Sequence, residues 1–316
     1  MKNRRRYDIS QCALYKCNTR RKLATLLNLD YISLMSIQKI ITYHAFETEK
    51  KGTDEKRAIT APDKQLKIIQ RRVLYLLRYM KRPHWLISSE KGKSYIDNGK
   101  AHLNGRYALT IDIRKFYDNC GREAVYSFFS NKLRTSPDVS KLLTDIVTYN
   151  GRIPTGCPTS QIIAYYAYED MFEEIAKIAS AFGCTFTLFV DDMTFSSEGA
   201  FDKDKLGSLI DCALRKYGHK PKYKKVRYYP KSASKPVTGT IITPDNRLEI
   251  PNNLQEKIYN GFQDLKRYMG DATNLSGHEK KIDVLKGRIQ AARNIDSDRF
   301  PEIRRIVQHF STDCSQ

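Results

Sequence analysis

Apolar positions between residues 20 and 45 recur at mixed three- and four-residue spacings: Leu23, Leu26, Leu27, then Ile32 to Ile41. That pattern predicts helix and marks residues 1–45 as a helical N-terminal extension. KKGTDEKR (50–57) reads as a charged hairpin tip, and KRAIT (56–60) as a strand stopped by Pro62. Over 63–81, Leu66, Ile69, Val73, Leu76 and Leu77 share one face and basic residues the other, which predicts an amphipathic helix. RYALTIDI (106–113) alternates like a strand and ends in charge, and 122–149 reads as helices. NGRIPTGCPTSQ (150–161) is a Pro/Gly loop feeding a Tyr- and Ala-rich helix over 162–180. Within CTFTLFVDDMTFSSEG (184–199), residues 184–197 read as a hairpin with Asp191 and Asp192 at or near its turn. A helix over 203–217 and strands at 225–229, 236–243 and 247–250 follow. From residue 251 the spacing of Leu254, Ile258, Phe262, Leu265 and Met269, then Ile282, Leu285 and Ile289, predicts a small helical unit over 251–316.

Composition adds a partner to this α+β pattern. The chain has 316 residues, 41% hydrophobic and 28% charged, enough for a substantial core. Its formal charge of +20 favours a polyanion, because each neutralised phosphate releases counterions. The charge is clustered. The runs Lys64–Arg82 and Cys212–Lys235 contain no acid, and the first 22 residues contain only Asp8. Tyr75, Tyr79, Tyr217, Tyr223, Tyr228 and Tyr229 lie inside the basic runs, a composition suited to tracking a nucleic-acid backbone. The seven cysteines show no zinc spacing and fit a reducing cytoplasm. No apolar run reaches the ~18 residues of a membrane span, and no apolar stretch follows MKNRRR as a secretion signal requires.

The acids are the sharpest feature. Neighbouring side chains on a strand point to opposite faces, so Asp191 and Asp192 converge only if the backbone turns between them. YALTIDIRKFYDN (107–119) ends a second apolar strand on Asp112. If the two strands pair, three carboxylates come together, and their repulsion calls for a cation. Mg²⁺ takes oxygen ligands and binds substrate phosphates, and two such ions about 4 Å apart serve in-line phosphoryl transfer.

Asp112 with Phe116 and Tyr117, then PTGCPTS (154–160), then FVDD (189–192), resembles the palm of reverse transcriptases. KGTDEKRAITAPDKQLKIIQR (51–71) looks like the fingers of the bacterial members. NGKAH (98–102), PVTGTII (236–242) and LKGRIQAARNID (285–296) are similar to the retron branch. The resemblance implies a right-hand polymerase: fingers and palm over 46–250 and a helical thumb over 251–316. It implies that Asp112, Asp191 and Asp192 hold two Mg²⁺ ions (Mn²⁺ as the alternative), with Asp112 and Asp191 coordinating directly. Lys51, Arg57, Tyr117, Thr155, Gly156 and Lys225 would bind the nucleotide, Tyr117 as the gate against a 2′-hydroxyl. Asn98, His102, Val237, Thr238 and Gly239 would be the retron motifs serving RNA binding.

Several positions depart from the family pattern. Phe189 stands where Tyr is usual, and Gln161, Tyr165, Lys115 and Gly99 replace commoner residues, but none removes a metal ligand. The implied activity is a cytoplasmic RNA-directed DNA polymerase that copies part of a cognate noncoding RNA into DNA linked to a 2′-hydroxyl of that RNA. Its implied partners are that RNA, its DNA product, deoxynucleoside triphosphates and a separate antiphage effector protein, with no membrane. About 75 residues follow the VTG box, too few for intron-type maturase and endonuclease domains. Two alternatives stand: an abortive-infection reverse transcriptase making untemplated DNA, and an RNA-binding scaffold with a vestigial site.

Overall fold

The structure is a computed structural model that describes residues 6–49, 56–269 and 279–313. After a 3₁₀ turn (Ile9–Gln11) come α1 (Arg20–Leu27) and α2 (Tyr31–Met35), not one helix to residue 45. Asn28, in the left-handed region at φ 57°, ends α1, and the Asp30 side chain caps α2 by accepting from Ser33 N. The extended β1 (Tyr43–Glu49) then pairs antiparallel with β2 (Lys56–Pro62). The tip between them, including the nucleotide-binding expectation at Lys51, lies outside the described residues.

α3 (Lys64–Leu77) separates its faces as the sequence implies. Leu66, Ile69, Gln70, Val73, Leu76 and Leu77 are buried, against α1, β2 and the later helix Pro137–Val147. Next come α4 (Tyr95–Lys100), β3 (Tyr107–Asp112), α5 (Phe116–Asn119), α6 (Arg122–Ser127), a π-helical turn (Phe128–Lys132) and α7 (Pro137–Val147). α8 (Ser160–Ala167) and α9 (Glu169–Ala181) follow as two helices broken at Tyr168. Then come β4 (Thr185–Phe189), β5 (Asp192–Ser197), α10 (Lys203–Lys216) and β6 (Arg227–Tyr229).

These strands form one antiparallel sheet in the order β4-β5-β3-β6. Its two faces differ in chemistry. Leu109, Ile111, Met193 and Phe195 point into the main core, while Thr110, Asp112, Asp192, Thr194 and Ser196 lie on the opposite face.

That polar face is covered by a second layer. The expected single strand over 236–243 is a tight hairpin, β7 (Lys235–Val237) and β8 (Thr240–Ile242), extended by β9 (Leu248–Glu249). Its two turn residues, Thr238 and Gly239, both have positive φ, the signature of a type I′ turn. Gly99 of α4 packs so closely here that a Cβ would stand 2.3 Å from Thr240 Oγ1.

The remaining chain forms α11 (Asn252–Met269), α12 (Glu279–Ile295) and α13 (Pro301–Asp313). Ile258, Phe262, Leu265, Ile282, Leu285, Ile289 and Val307 make a second core separate from the first. The last helix, with Ile303, Ile306 and Val307 packed on that core, falls within the helical unit expected over 251–316.

Two buried histidines make stability pH-dependent. His102 is 1% exposed, and burial lowers its pKa to about 3. His219 lies between the rings of Phe116 and Tyr168, and burial lowers its pKa to about 4. Both rings stay neutral in the folded protein, whereas the unfolded chain protonates them near 6.5. The stability they contribute is therefore complete above pH 6.5 and lost as pH falls toward 4 and 3. Each costs up to about 1.4 kcal/mol per pH unit across that window. Urea midpoints measured from pH 7 to pH 5 are expected to fall steadily; a flat profile would contradict the neutral, buried state.

Candidate active site

The β4–β5 hairpin closes on a two-residue turn, Val190 and Asp191, with Phe189 paired to Asp192. Val190 has φ 64°, the first-position geometry of a type II′ turn that glycine ordinarily occupies. A β-branched residue held there costs about 1–3 kcal/mol, so its surroundings must enforce it. They do. Residues 85–87 run beside β4 with Ile87 N donating to Leu188 O and Leu188 N to Trp85 O, and Val190 N donates to Ser88 Oγ at 2.9 Å. Ser88 carries no motif in the sequence, and only its place beside the hairpin reveals it.

β3 and β5 pair in a register that sets Asp112 opposite Asp192 at the open end of the sheet. Burial pushes the Asp192 carboxyl above the ordinary carboxylate range, and the Asp112 charge adds to it. Lys225, in the 3₁₀ turn Tyr223–Lys225, answers with an ammonium 2.7 Å from Asp112 Oδ2. That hydrogen bond raises the Lys225 pKa. In the absence of nucleotide, the salt-bridge partner of Lys225, expected at the nucleotide, is Asp112.

Asp191 occupies the turn itself, and its carbonyl accepts from Ile113 N at 3.0 Å. The expected gathering of three carboxylates is therefore narrower in the structure: Asp112 faces Asp192, and Asp191 stands beside them on the turn. Among the described residues no three His, Cys, Asp or Glu side chains converge closely enough to enclose an ion. The donor chemistry nonetheless suits a divalent cation. All three are hard oxygen ligands, and among the described residues the half-buried Asp192 beside Asp112 has the half-exposed Lys225 as its counter-charge.

A cavity of about 180 Å³ opens over this pair, lined in part by Thr110, Asp112, Asp192, Thr194, Lys225 and Thr238. Thr238 links two sequence-distant boxes, because Asn98 Nδ2 donates to its Oγ1 at 2.8 Å. Farther up the same face His102 bridges Ser196 Oγ and Thr187 Oγ1, each at 2.7 Å. Asn98, His102 and Val237 are 0%, 1% and 1% exposed. Such side chains do not meet RNA directly, so any part they have in RNA binding runs through the β4–β5 hairpin and the β7–β8 turn they hold. Gly239 is exposed at that turn.

The other expected residues fall in two places. Tyr117 is half-buried on α5, packed on Phe116, in the first helical turn after β3. Thr155 and Gly156 lie against β2: Gly156 N donates to Thr60 O at 3.0 Å, and Thr60 N to Thr155 Oγ1 at 3.4 Å. Arg57 is on the same strand, paired with Thr48. The loop 154–160 is thus fastened to the strand of Arg57, while Asp112, Asp192 and Lys225 form a distinct cluster.

Lys225→Ala is expected to leave the carboxylate pair without its counter-charge. Because Lys225 is half-exposed, the cost is about 1 kcal/mol, or a Tm lower by roughly 2–4 °C in chelator. Adding Mg²⁺ should restore that loss, more in the variant than in the wild type. Equal Tm values in chelator would contradict the coupling.

Comparison with known proteins agrees with this geometry. The family model described as reverse transcriptase (RNA-dependent DNA polymerase) matches residues 48–242, which include all three aspartates. The chain is 29% identical over 201 residues to the retron Se72 reverse transcriptase of Salmonella heidelberg, covering 62% of this chain and 53% of that protein. It therefore spans about half the length of that relative. It is 24% identical over 291 residues to the retron Ec86 reverse transcriptase of Escherichia coli, covering 91% of this chain and 86% of that protein.

Proposed function

The chain belongs to the reverse transcriptase (RNA-dependent DNA polymerase) family, and on that premise we propose that it is the RNA-directed DNA polymerase of a retron. It copies part of a cognate structured noncoding RNA into single-stranded DNA that stays joined to a 2′-hydroxyl of that RNA. The DNA and a separate effector protein act in antiphage defence. The observation that carries the reading is the paired Asp112 and Asp192 at the open end of two adjacent strands, with Asp191 on the adjoining turn.

In this reading 46–250 is fingers and palm and 251–316 the thumb. Asp112, Asp191 and Asp192 would hold two Mg²⁺ ions, which when bound stabilise the attacking and leaving oxygens of nucleotidyl transfer. The β4–β5 turn presents Asp191 and Asp192 at a fixed angle, and Ser88 holds that angle. Lys225 balances Asp112 until a cation arrives. Tyr117 stands where a 2′-hydroxyl would be refused, and Thr155, Gly156 and Arg57 receive the triphosphate on the β2 side. The donors are oxygen only and hard, which supports magnesium.

The test is incorporation by purified protein on RNA templates of defined sequence. The proposal predicts DNA complementary to each template, dependent on divalent cation. DNA whose sequence ignores the template would move the assignment to an untemplated polymerase, and binding of RNA without synthesis would leave a scaffold.

A further inference from the structure

α3 carries an exposed cationic stripe that the polymerase site does not use. At about 100° per residue, Lys64, Lys67, Arg71 and Arg78 fall within roughly 60° of arc, opposite the buried Leu66, Val73 and Leu77. All four are exposed and span about 21 Å of helix. Arg72 and Tyr75 flank the stripe. Neither these four nor Arg72 has a carboxylate within salt-bridge distance among the described residues. The next cations along the chain, Lys81 and Arg82, do: they pair with Asp8 and Glu90.

Like charges stacked at helical spacing repel and weaken a helix unless something neutralises them. The arginines here are also ordered. The Arg72 and Arg78 guanidinium carbons stand 5.1 and 4.4 Å from the Tyr75 ring centroid. Arg78 is also 4.7 Å from the Tyr79 ring and donates to its hydroxyl at 2.9 Å. Arg72 Nε donates to Leu26 O of α1 at 2.7 Å. Stacking of this kind costs rotamer freedom in advance, so a guanidinium fork meets a phosphate with less left to lose.

We propose that the exposed face of α3 is a second RNA-binding surface, which grips the phosphate backbone of the cognate RNA outside the polymerase site. The proposal rests on the retron reading for the identity of the RNA. α3 packs on α1, α7 and β2, none of which carries a candidate catalytic aspartate.

The experiment compares wild type with the quadruple variant Lys64→Ala, Lys67→Ala, Arg71→Ala, Arg78→Ala, and with the single charge reversal Arg71→Glu. The probe is RNA transcribed from the DNA flanking the gene, titrated across a series of salt concentrations. A second assay measures DNA synthesis on a short RNA/DNA template-primer. The expected result for the quadruple variant is a log K against log salt slope shallower by about 3, and binding weaker by about 10²-fold near physiological salt. Arg71→Glu should weaken binding several-fold, and synthesis on the short duplex should stay within about twofold for both. An unchanged slope in both variants would overturn the proposal while leaving the polymerase intact. If wild type makes no DNA on any template, the retron reading fails instead, and the salt slopes still decide whether this face binds RNA.

Discussion

Asp192→Asn is expected to eliminate DNA synthesis, by at least about 10³-fold or roughly 4 kcal/mol of barrier, without lowering Tm. The two effects separate because the same carboxylate is useful to catalysis and costly to the fold. It is half-buried, it faces Asp112 across the β3–β5 ladder, and burial holds its pKa up. An amide of the same shape removes the repulsion and keeps the hairpin, but it is a poor ligand for a hard cation. Steady-state incorporation together with thermal unfolding in chelator checks both halves. Retained synthesis would remove Asp192 from the site, and a Tm lower by several degrees would mean that the charge is structurally needed.

Gly156→Ala should be strongly damaging although it lies away from the carboxylates. Gly156 sits where a Cβ would lie 2.6 Å from Thr60 O and 3.0 Å from Ala61 Cα, both backbone atoms of β2. A methyl group there cannot be absorbed by a rotamer change. The loop must lift from β2 and give up the Gly156 N to Thr60 O hydrogen bond. The expected cost is about 2–4 kcal/mol, or a Tm lower by roughly 5–10 °C. The loop and the strand of Arg57 separate with it, so KM for deoxynucleoside triphosphate should rise about tenfold while kcat changes less. An unchanged KM would detach this loop from the nucleotide.

The residues explain which features could be read in advance. The β4–β5 hairpin was legible because two apolar runs flank adjacent acids, and β3 because its apolar run ends on Asp112. The pairing of Asp112 with Asp192 followed from those strand ends. β1 was not legible: His44, Ala45, Phe46 and Glu47 are exposed on a two-stranded sheet, Tyr43 alone of these first five residues packs on the main core, and the strand follows a run that reads as helix. The β7–β8 turn was missed because Thr-Gly is a weak hairpin signal; its geometry comes from tertiary contacts such as Asn98 on Thr238. Asn98 and His102 were marked by resemblance alone. Burial decides what they do, and burial of a polar residue is invisible in a polar stretch such as NGKAH. Ser88 and Lys225 act through partners 102 and 113 residues away, beyond any local pattern.

Whether these aspartates build DNA on a partner RNA is tested by expressing the chain with its native flanking DNA, purifying it, and treating the nucleic acid that accompanies it with RNase, DNase and a debranching enzyme. Wild type should yield one discrete DNA attached to RNA and released by debranching, and the Asp191→Ala, Asp192→Ala double variant should yield the RNA without DNA. RNA without DNA in both preparations, or DNA undiminished in the double variant, would contradict that role of the aspartates.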